Sequence, residues 1–465
     1  MINTSQIDDY IEKIAYINGQ YKSVNGRSKK MYIHTYGCQM NSHDSEKIAG
    51  MLSDMGYEEA ESENTADIIV YNTCCIRENA ENKIYGNLGY LKGLKAVNKD
   101  IKVILCGCMM QQDTVIEKIR TSYRFVDVIF GTYNLYKLPE LLYTNIETGS
   151  QIIDIWQEQE EIIEDLPALR KYSFKTGVNI MYGCNNYCTY CIVPYVRGRE
   201  RSREPESILE EIRRLIDDGV VEIMLLGQNV NSYGKSLDRD ISFANLLQMV
   251  AEISGLRRIR FMTSHPKDFS DELIQVIKNN DNVCKSVHLP IQSGSSKILE
   301  KMNRKYTKDS YLTLVDKLRA EIPGIAMTTD IICGFPYETD EDNDETIDVI
   351  KKVRYAGAFT FIYSKRNGTP AASMDCQIEE SVVKPRFNKL LAALNPIIYE
   401  ISKSHIGNIY EVLAEEMSKN DPELMTGRLD DNSIVHFHGN EALIGKFVNV
   451  KITDCKTFYL TGDII

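Results

Sequence analysis

No run of about 18 apolar residues occurs in this chain of 465 residues, so the sequence offers no ordinary membrane-spanning helix. The opening stretch, MINTSQIDDYIEKIAYINGQYKSVNGRSKK, also lacks the apolar segment of a secretory leader. The expectation is a soluble, cytoplasmic protein with no membrane partner and a polar, mobile N-terminal extension. Positive charge is in short supply: 54 Lys and Arg stand against 66 Asp and Glu, for a net charge of -12. Such a chain does not grip phosphate indiscriminately, so any nucleic-acid contact needs local basic patches. A disulfide framework is not expected either, because the cytosol keeps thiols reduced. The 12 cysteines point instead to metal or redox chemistry. One further absence is local: NIMYGCNNYCTYCIVPYVRGRERSR holds three cysteines spaced C-x3-C-x2-C and no fourth.

A hydrophobic fraction of 43% supports full cores, and the length suits about three domains. From residue 31, strand-like runs (MYIHTY, ADIIVYNTC, KVILCGC) alternate with amphipathic helical ones, which predicts a doubly wound α/β domain ending near residue 145. The charged stretch WQEQEEIIEDLPALRKYSFK reads as a linker with a short helix. Six further βα repeats run from GVNIMYG to FTFIYS, too few to close an eight-stranded barrel but suited to a partial one. Its site is expected at the C-terminal ends of the strands. After a helix through KPRFNKLLAALNPIIYEISKSHIG, short alternating runs broken by turns predict a small antiparallel β-barrel.

The three clustered cysteines, Cys184, Cys188 and Cys191, fit structural zinc poorly, since closed zinc sites take four ligands. A 4Fe-4S cluster held by three thiolates fits better, because it leaves one iron open to chelate a substrate or cofactor. With aromatic Tyr190 before the last cysteine, at the end of the first strand of a partial barrel, the loop resembles the radical S-adenosylmethionine (SAM) superfamily. That resemblance implies one-electron cleavage of SAM to methionine and a 5′-deoxyadenosyl radical.

A second set follows predicted strands: Cys38 in TYGCQMN, Cys74 in NTCCIRENA and Cys108 in GCMMQ. Strand C-termini of a parallel sheet converge on one edge, so these three can meet in another cluster; ordinary buried cysteines are the alternative. The three stretches resemble the methylthiotransferase family, whose N-terminal domain binds an auxiliary 4Fe-4S cluster through these positions. Cys75 adjoins one of them and could compete as a ligand. Cys106, Cys284, Cys333, Cys376, Cys455 and Cys75 itself are expected as packing residues. LLGQNVNSYG, RFMTSHPKDFS, SVHLPIQSGS and KMNRKYT place the resemblance nearest the branch that modifies N6-dimethylallyladenosine. Asn343 and Cys333 depart from the family pattern at positions without expected chemistry.

The resemblance divides the chain into a polar extension (1–29), an auxiliary-cluster domain (30–146), a linker (147–169), a radical SAM core (170–400) and a TRAM barrel (401–465). It implies two 4Fe-4S clusters and two SAM molecules, one donating a methyl group and one supplying the radical. Together they would methylthiolate carbon 2 of N6-dimethylallyladenosine beside the anticodon of tRNA. No catalytic residue beyond the cluster ligands is expected. The implied partners are the tRNA anticodon stem-loop, a reducing system such as flavodoxin or ferredoxin, and iron-sulfur carrier proteins, with the enzyme a monomer. Tyr190, Gln292, Ser293, Gly334, Phe335 and Pro336 are candidate SAM contacts, although Gly-Phe-Pro is equally an ordinary strand-end turn.

For RNA, the run RGRERSR offers Arg197, Arg199, Arg201 and Arg203 to phosphates; a solvated loop paired to Glu200 and Glu204 is the alternative. Lys301, Arg304 and Lys305 form a fainter patch. Arg428 and Lys446, with Lys451 and Lys456, are candidate grips on the terminal barrel. His34, His43 and His265 receive no role. Two other readings remain open: a sister methylthiotransferase acting on threonylcarbamoyladenosine or a ribosomal-protein aspartate, and a non-catalytic iron-sulfur electron carrier. A carrier normally gives each cluster four cysteines, and both sets here have three.

Overall fold

The computed structural model of the chain describes residues 4–75, 78–158, 161–419 and 421–465. Ile76 and Arg77 of NTCCIRENA, the first three residues of the extension and positions 159–160 of the linker lie outside the described residues. The chain divides into two compact units. The first holds residues 1–171 with 182–185 and 192–201, and the second holds 172–181, 186–191 and 202–465.

The first unit is built on six parallel strands: β1 (Lys29–Thr35), β2 (Tyr57–Glu59), β3 (Ile68–Thr73), β4 (Lys102–Gly107), β5 (Val128–Phe130) and β6 (Ile152–Asp154). Their order is β2-β1-β3-β4-β5-β6. Helices α2 (Gln39–Asp54), α3 (Glu78–Val97), α4 (Asp113–Ser122) and α5 (Leu138–Thr148) make the crossovers. The period-2 pleat splits the apolar strand residues between two cores. Ile69, Tyr71, Val103 and Leu105 pack on one face, and Ile68, Val70, Ile104 and Phe130 on the other.

Two expectations about this unit fail. Residues 4–25 are a docked helix, α1, rather than a mobile extension. Ile11 and Ile14 fall three apart on one of its faces, Ile14 is fully buried, and the Asn18 amide donates to Met55 O at 2.8 Å. The stretch read as linker (147–169) gives up its start to the end of α5 and to β6, and carries no helix of its own beyond Thr148 in its described residues. It is also packed: Leu169 N donates to Glu46 O at 2.9 Å, and a side chain on Gly50 would overlap the Pro167 carbonyl.

Residues 192–201 join this unit, bringing the short helix α6 (Val193–Val196), because Ile192 and Val196 bury into the core that holds Leu105 and Met109. Two short strands, β8 (Met181–Tyr182) and β9 (Arg201–Ser202), stand on either side of the three-cysteine loop in sequence.

The second unit contains the partial barrel. Its strands are β7 (Lys175–Asn179), β10 (Glu222–Leu226), β11 (Arg258–Phe261), β12 (Ser286–His288), β13 (Ala326–Cys333) and β14 (Gly357–Ile362). They form two parallel three-stranded sheets, β7-β10-β11 and β12-β13-β14, with one parallel bridge, Ile259 to Val283, between β11 and the approach to β12. Helices α7 (Pro205–Asp217), α8 (Phe243–Ala251), α9 (Asp271–Asn279), α10 (Ser296–Lys301), α11 (Lys308–Glu321) and α12 (Asp340–Val353) run between them. Helix α13 (Glu380–Ser404) then leads into a closed antiparallel-rich barrel of β15 (Ile409–Met417), β16 (Leu424–Arg428), β17 (Ile434–His438), β18 (Phe447–Cys455) and β19 (Leu460–Ile464).

This terminal barrel belongs to the second compact unit because β11 grips it. The Arg258 guanidinium donates to Arg428 O and Glu411 O, and that of Arg260 to Asp430 O and Leu429 O, at 2.7 to 2.9 Å. Both arginines are buried, and Arg260 Nε lies 3.1 Å from the equally buried Glu222 carboxylate. Arg260→Ala leaves that carboxylate only Arg258 at 3.9 Å and removes two donations to the barrel, so it is expected to cost about 3–5 kcal/mol in urea unfolding. Arg257→Ala, which removes a half-exposed pair with Glu411, is expected to cost about 0–1 kcal/mol.

Candidate metal centres

In the first unit, parallel pairing sets Thr35 beside Asn72 and Asn72 beside Cys106, so β1, β3 and β4 finish level with one another. Cys38, Cys74 and Cys108 each follow one of these strands and therefore share one sheet edge. Asn41, in the first turn of α2, ties the edge together. Its amide donates to Tyr36 O and Thr73 O, and its Oδ1 lies 3.8 Å from both Cys38 Sγ and Cys108 Sγ. Gly37, at φ +108°, leaves the room that Cys74 fills: a Cβ there would stand 2.5 Å from Cys74 Sγ.

Cys75 is in the same place, its thiol in a hydrogen bond with Cys108. That bond, with the Arg197 guanidinium, pulls the Cys108 thiol down to about 6 against the opposing effect of burial. Burial pushes the Cys38 thiol up, Arg197 opposing. Arg197 is the largest departure from expectation here. It is 5% exposed, and its Nε donates to Cys108 Sγ at 3.1 Å. A terminal nitrogen donates to Asn41 Oδ1 at 2.7 Å and Asp44 Oδ2 at 3.0 Å, so this arginine does not face solvent or RNA phosphate. Of its neighbours, Arg199 is exposed and Arg201 lies between the rings of Tyr133 and Tyr182. Cys184 N donates to Gly198 O at 3.1 Å.

In the second unit, Cys188 and Cys191 sit on one turn, with Cys191 N donating to Cys188 O at 2.9 Å. The turn is held from several sides. Thr189 N donates to Met302 O, Ala371 N donates to Thr189 O, and the Asn303 amide donates to Tyr187 O. The Tyr190 ring packs on Ile298, Met302, Phe335 and Ala371. Arg304 was also expected among RNA contacts; instead it is buried and donates to Cys188 Sγ at 3.4 Å and Pro290 O at 3.1 Å. Arg203 is likewise buried, held by Asn179 O, Ser207 and Glu211, which removes it from the phosphate-binding set. Arg428 is half-buried beside Glu415 and Asn432, while Lys446, Lys451, Lys456 and Lys305 are exposed. Lys301 stacks over the Tyr337 ring. Cys376, expected in packing, is exposed.

The C-terminal edge of the partial barrel carries strain and unmet polar groups. Thr263 and Gln292, neither of them glycine, hold φ of +66° and +68° just beyond β11 and β12. The Gln292 backbone is fixed to β13 on both sides, through Asp330 O and Ile332 N. The buried Asn231 amide and Ser264 hydroxyl, in the loops after β10 and β11, have no hydrogen-bond partner, and neither has the Tyr363 hydroxyl after β14. Buried polar groups normally find partners, so these fit a polar ligand that completes them. Sequence reasoning assigned none of the three a role: Asn231 and Ser264 lie within LLGQNVNSYG and RFMTSHPKDFS, but a motif does not tell which of its polar side chains is buried without a partner.

Ser293 is buried, accepting from Ser295 N at 3.2 Å. Gly334 does not make room for a ligand as expected: at φ +79°, a Cβ on it would meet Val383 of α13 at 2.6 Å. Phe335 is fully buried in the cluster under Tyr190, and Pro336 follows it. His265 is pushed down to about 2 by burial and by Arg304, so it stays neutral. Among the described residues, no group of three or more His, Cys, Asp or Glu side chains is disposed to hold a single metal ion. A cubane cluster, with each thiolate on a different iron, does not require that closeness.

Glu338 is a further group that the sequence reading passed over. Its carboxylate accepts from Gly334 N at 2.9 Å, and burial raises it from 4.5 to about 7. A carboxyl whose folded value is raised favours folding while protonated, and that contribution is lost as pH climbs through the folded value. Relative to Glu338→Gln, the unaltered chain is therefore expected to lose stability between about pH 5 and pH 8, read as urea midpoints at each pH.

Residues 30–131 match the family UPF0004, described as uncharacterized, residues 178–350 match the radical SAM superfamily, and residues 403–465 match the TRAM domain. A tRNA-2-methylthio-N(6)-dimethylallyladenosine synthase of Lachnoclostridium phytofermentans is 57% identical, over 95% of this chain and 96% of its own. The protein of the same name from Clostridioides difficile is 54% identical, over 98% and 96%. Among solved structures, the radical S-adenosylmethionine methyltransferase TsrM of Kitasatospora setae, with cobalamin and a 4Fe-4S cluster bound, gives a TM-score of 0.53. At 15% identity over 74% of this chain and 77% of that one, the likeness is one of fold.

Proposed function

Because the chain belongs to the tRNA-2-methylthio-N6-dimethylallyladenosine synthases, a family of radical SAM tRNA methylthiotransferases, we propose that it methylthiolates carbon 2 of N6-dimethylallyladenosine next to the anticodon. What supports this reading is the pair of three-cysteine sets in the sequence, each following predicted strands and, with Cys75 set apart, each one thiolate short of an electron carrier's four. Cys184, Cys188 and Cys191 would hold one 4Fe-4S cluster, which would supply the electron for SAM cleavage, and Cys38, Cys74 and Cys108 would hold a second, which would supply an iron site for sulfur. Two SAM molecules serve the reaction, one as methyl donor and one as radical source.

The chain's own groups orient and protect. Tyr190, Gln292, Ser293, Asn231 and Ser264 hold SAM at the barrel edge, the last two finding there the partners they lack in the protein. Phe335 and Pro336 support the Tyr190 wall. Arg199, Arg201, Arg428 and Lys446 meet tRNA phosphates, and the target base leaves its stack to reach the site. A low-potential donor such as flavodoxin or ferredoxin, iron-sulfur carriers for assembly, and action as a cytoplasmic monomer belong to the same reading.

Iron and sulfide analysis after anaerobic reconstitution tests the two-centre reading. About eight of each per chain are expected, falling to about four when either three-cysteine set is replaced by alanine. Unaltered contents of about four would remove the second centre. The same analysis separates neighbours: Cys74→Ala is expected to lose the N-terminal cluster, and Cys75→Ala to keep it.

A further inference from the structure

Arg197 was the first arginine offered to RNA by the run RGRERSR, yet it is the most enclosed charge at the N-terminal sheet edge. Its guanidinium meets Cys108 Sγ at 3.1 Å, Asn41 Oδ1 at 2.7 Å and Asp44 Oδ2 at 3.0 Å. Asn41 Oδ1 is the same atom that lies 3.8 Å from the Cys38 and Cys108 sulfurs. The planar fork thus reaches one thiol directly and two through a shared amide, with Asp44 as the carboxylate that faces it. A buried cation needs anionic company, and Asp44 supplies one such charge on a terminal nitrogen. The Nε edge faces Cys108 Sγ instead, where a thiolate bound to a cluster is the stronger acceptor. Hydrogen bonds to such thiolates and nearby charge are also what set a cluster's reduction potential and its hold on iron.

We infer that Arg197 is the counter-ion of the N-terminal cysteine set, a positioning residue that fixes Cys108 and raises the reduction potential of the cluster held there. The inference rests on the two-centre reading proposed above. The loop after the radical-site cysteines therefore contributes to the other centre: Arg197 lies six positions beyond Cys191 in sequence. The radical site has its own guanidinium, Arg304 on Cys188, which makes the two effects separable.

The test uses the full chain with Cys184, Cys188 and Cys191 replaced by alanine, so that iron and sulfide can load only on the N-terminal set. In this background, Arg197→Gln is expected to lower the midpoint potential in a redox titration followed by electron paramagnetic resonance. It is also expected to speed iron loss to a chelator about 10–100-fold. Arg197→Lys, which keeps the charge without the fork, is expected to fall between. Should the Gln variant not fold by circular dichroism, the Lys variant alone carries the potential measurement. In the complementary chain with Cys38, Cys74 and Cys108 replaced by alanine, Arg197→Gln is expected to leave the potential unchanged while Arg304→Lys shifts it. A parent chain that loads no cluster on the N-terminal set overturns both the two-centre reading and this inference. A parent that loads, with potential and iron loss unmoved by Arg197→Gln or Arg197→Lys, overturns the inference alone.

Discussion

Cys188→Ala is expected to reduce 5′-deoxyadenosine formation from SAM to the level of the metal-free chain. The expectation follows from geometry as well as spacing. Cys188 shares a turn with Cys191, is held by the backbone bonds around Thr189, and accepts from buried Arg304. Three thiolates are the minimum that leave a cluster one open iron, and with two the cluster has no secure seat. Iron content is expected to fall by about half rather than to zero, since the N-terminal set is untouched. Unfolding should shift by no more than about 1–3 kcal/mol, because the turn keeps its main-chain bonds while buried Arg304 loses one acceptor. Retained 5′-deoxyadenosine formation would show that the radical source lies elsewhere in the chain.

The second large effect is an uncoupling. Cys108→Ala is expected to leave SAM cleavage within about twofold of the unaltered chain while methylthio product falls to background, since the two centres carry separable tasks. Cys108 is drawn down to about 6 by its hydrogen bond with Cys75 and by Arg197, from which it accepts. Its loss also leaves the buried Arg197 Nε without its acceptor, although Asn41 and Asp44 keep the terminal nitrogen, so unfolding by urea should register a cost of about 1–3 kcal/mol. Quantifying 5′-deoxyadenosine and modified nucleoside in the same reaction checks the claim. Parallel loss of both products would make the N-terminal set part of the radical centre rather than a second one.

The layout of the fold was legible because its signals are local and repeated. MYIHTY, ADIIVYNT and KVILCG alternate with amphipathic helices, and only parallel strands accommodate that rhythm. The short alternating runs near the C-terminus marked the small barrel in the same way. Long-range facts were not legible. Whether an arginine in RGRERSR faces water or a thiol depends on Cys108, 89 residues away in sequence. Arg304 and Arg203 were misread for the same reason, as charge runs say nothing of burial. The docking of α1 was not legible either: Ile7, Ile11 and Ile14 recur at helical spacing, but the residues that Ile11 and Ile14 pack on belong to distant segments. Gly334 followed a strand and invited a ligand, but the neighbour that claims its space, Val383, comes from α13.

The most direct measurement is anaerobic reconstitution followed by incubation with SAM, a low-potential reductant and an anticodon stem-loop carrying N6-dimethylallyladenosine, with nucleosides read by mass spectrometry. The account predicts 2-methylthio-N6-dimethylallyladenosine together with 5′-deoxyadenosine. Abundant 5′-deoxyadenosine with an unchanged nucleoside, in a chain loaded with both clusters, would contradict it.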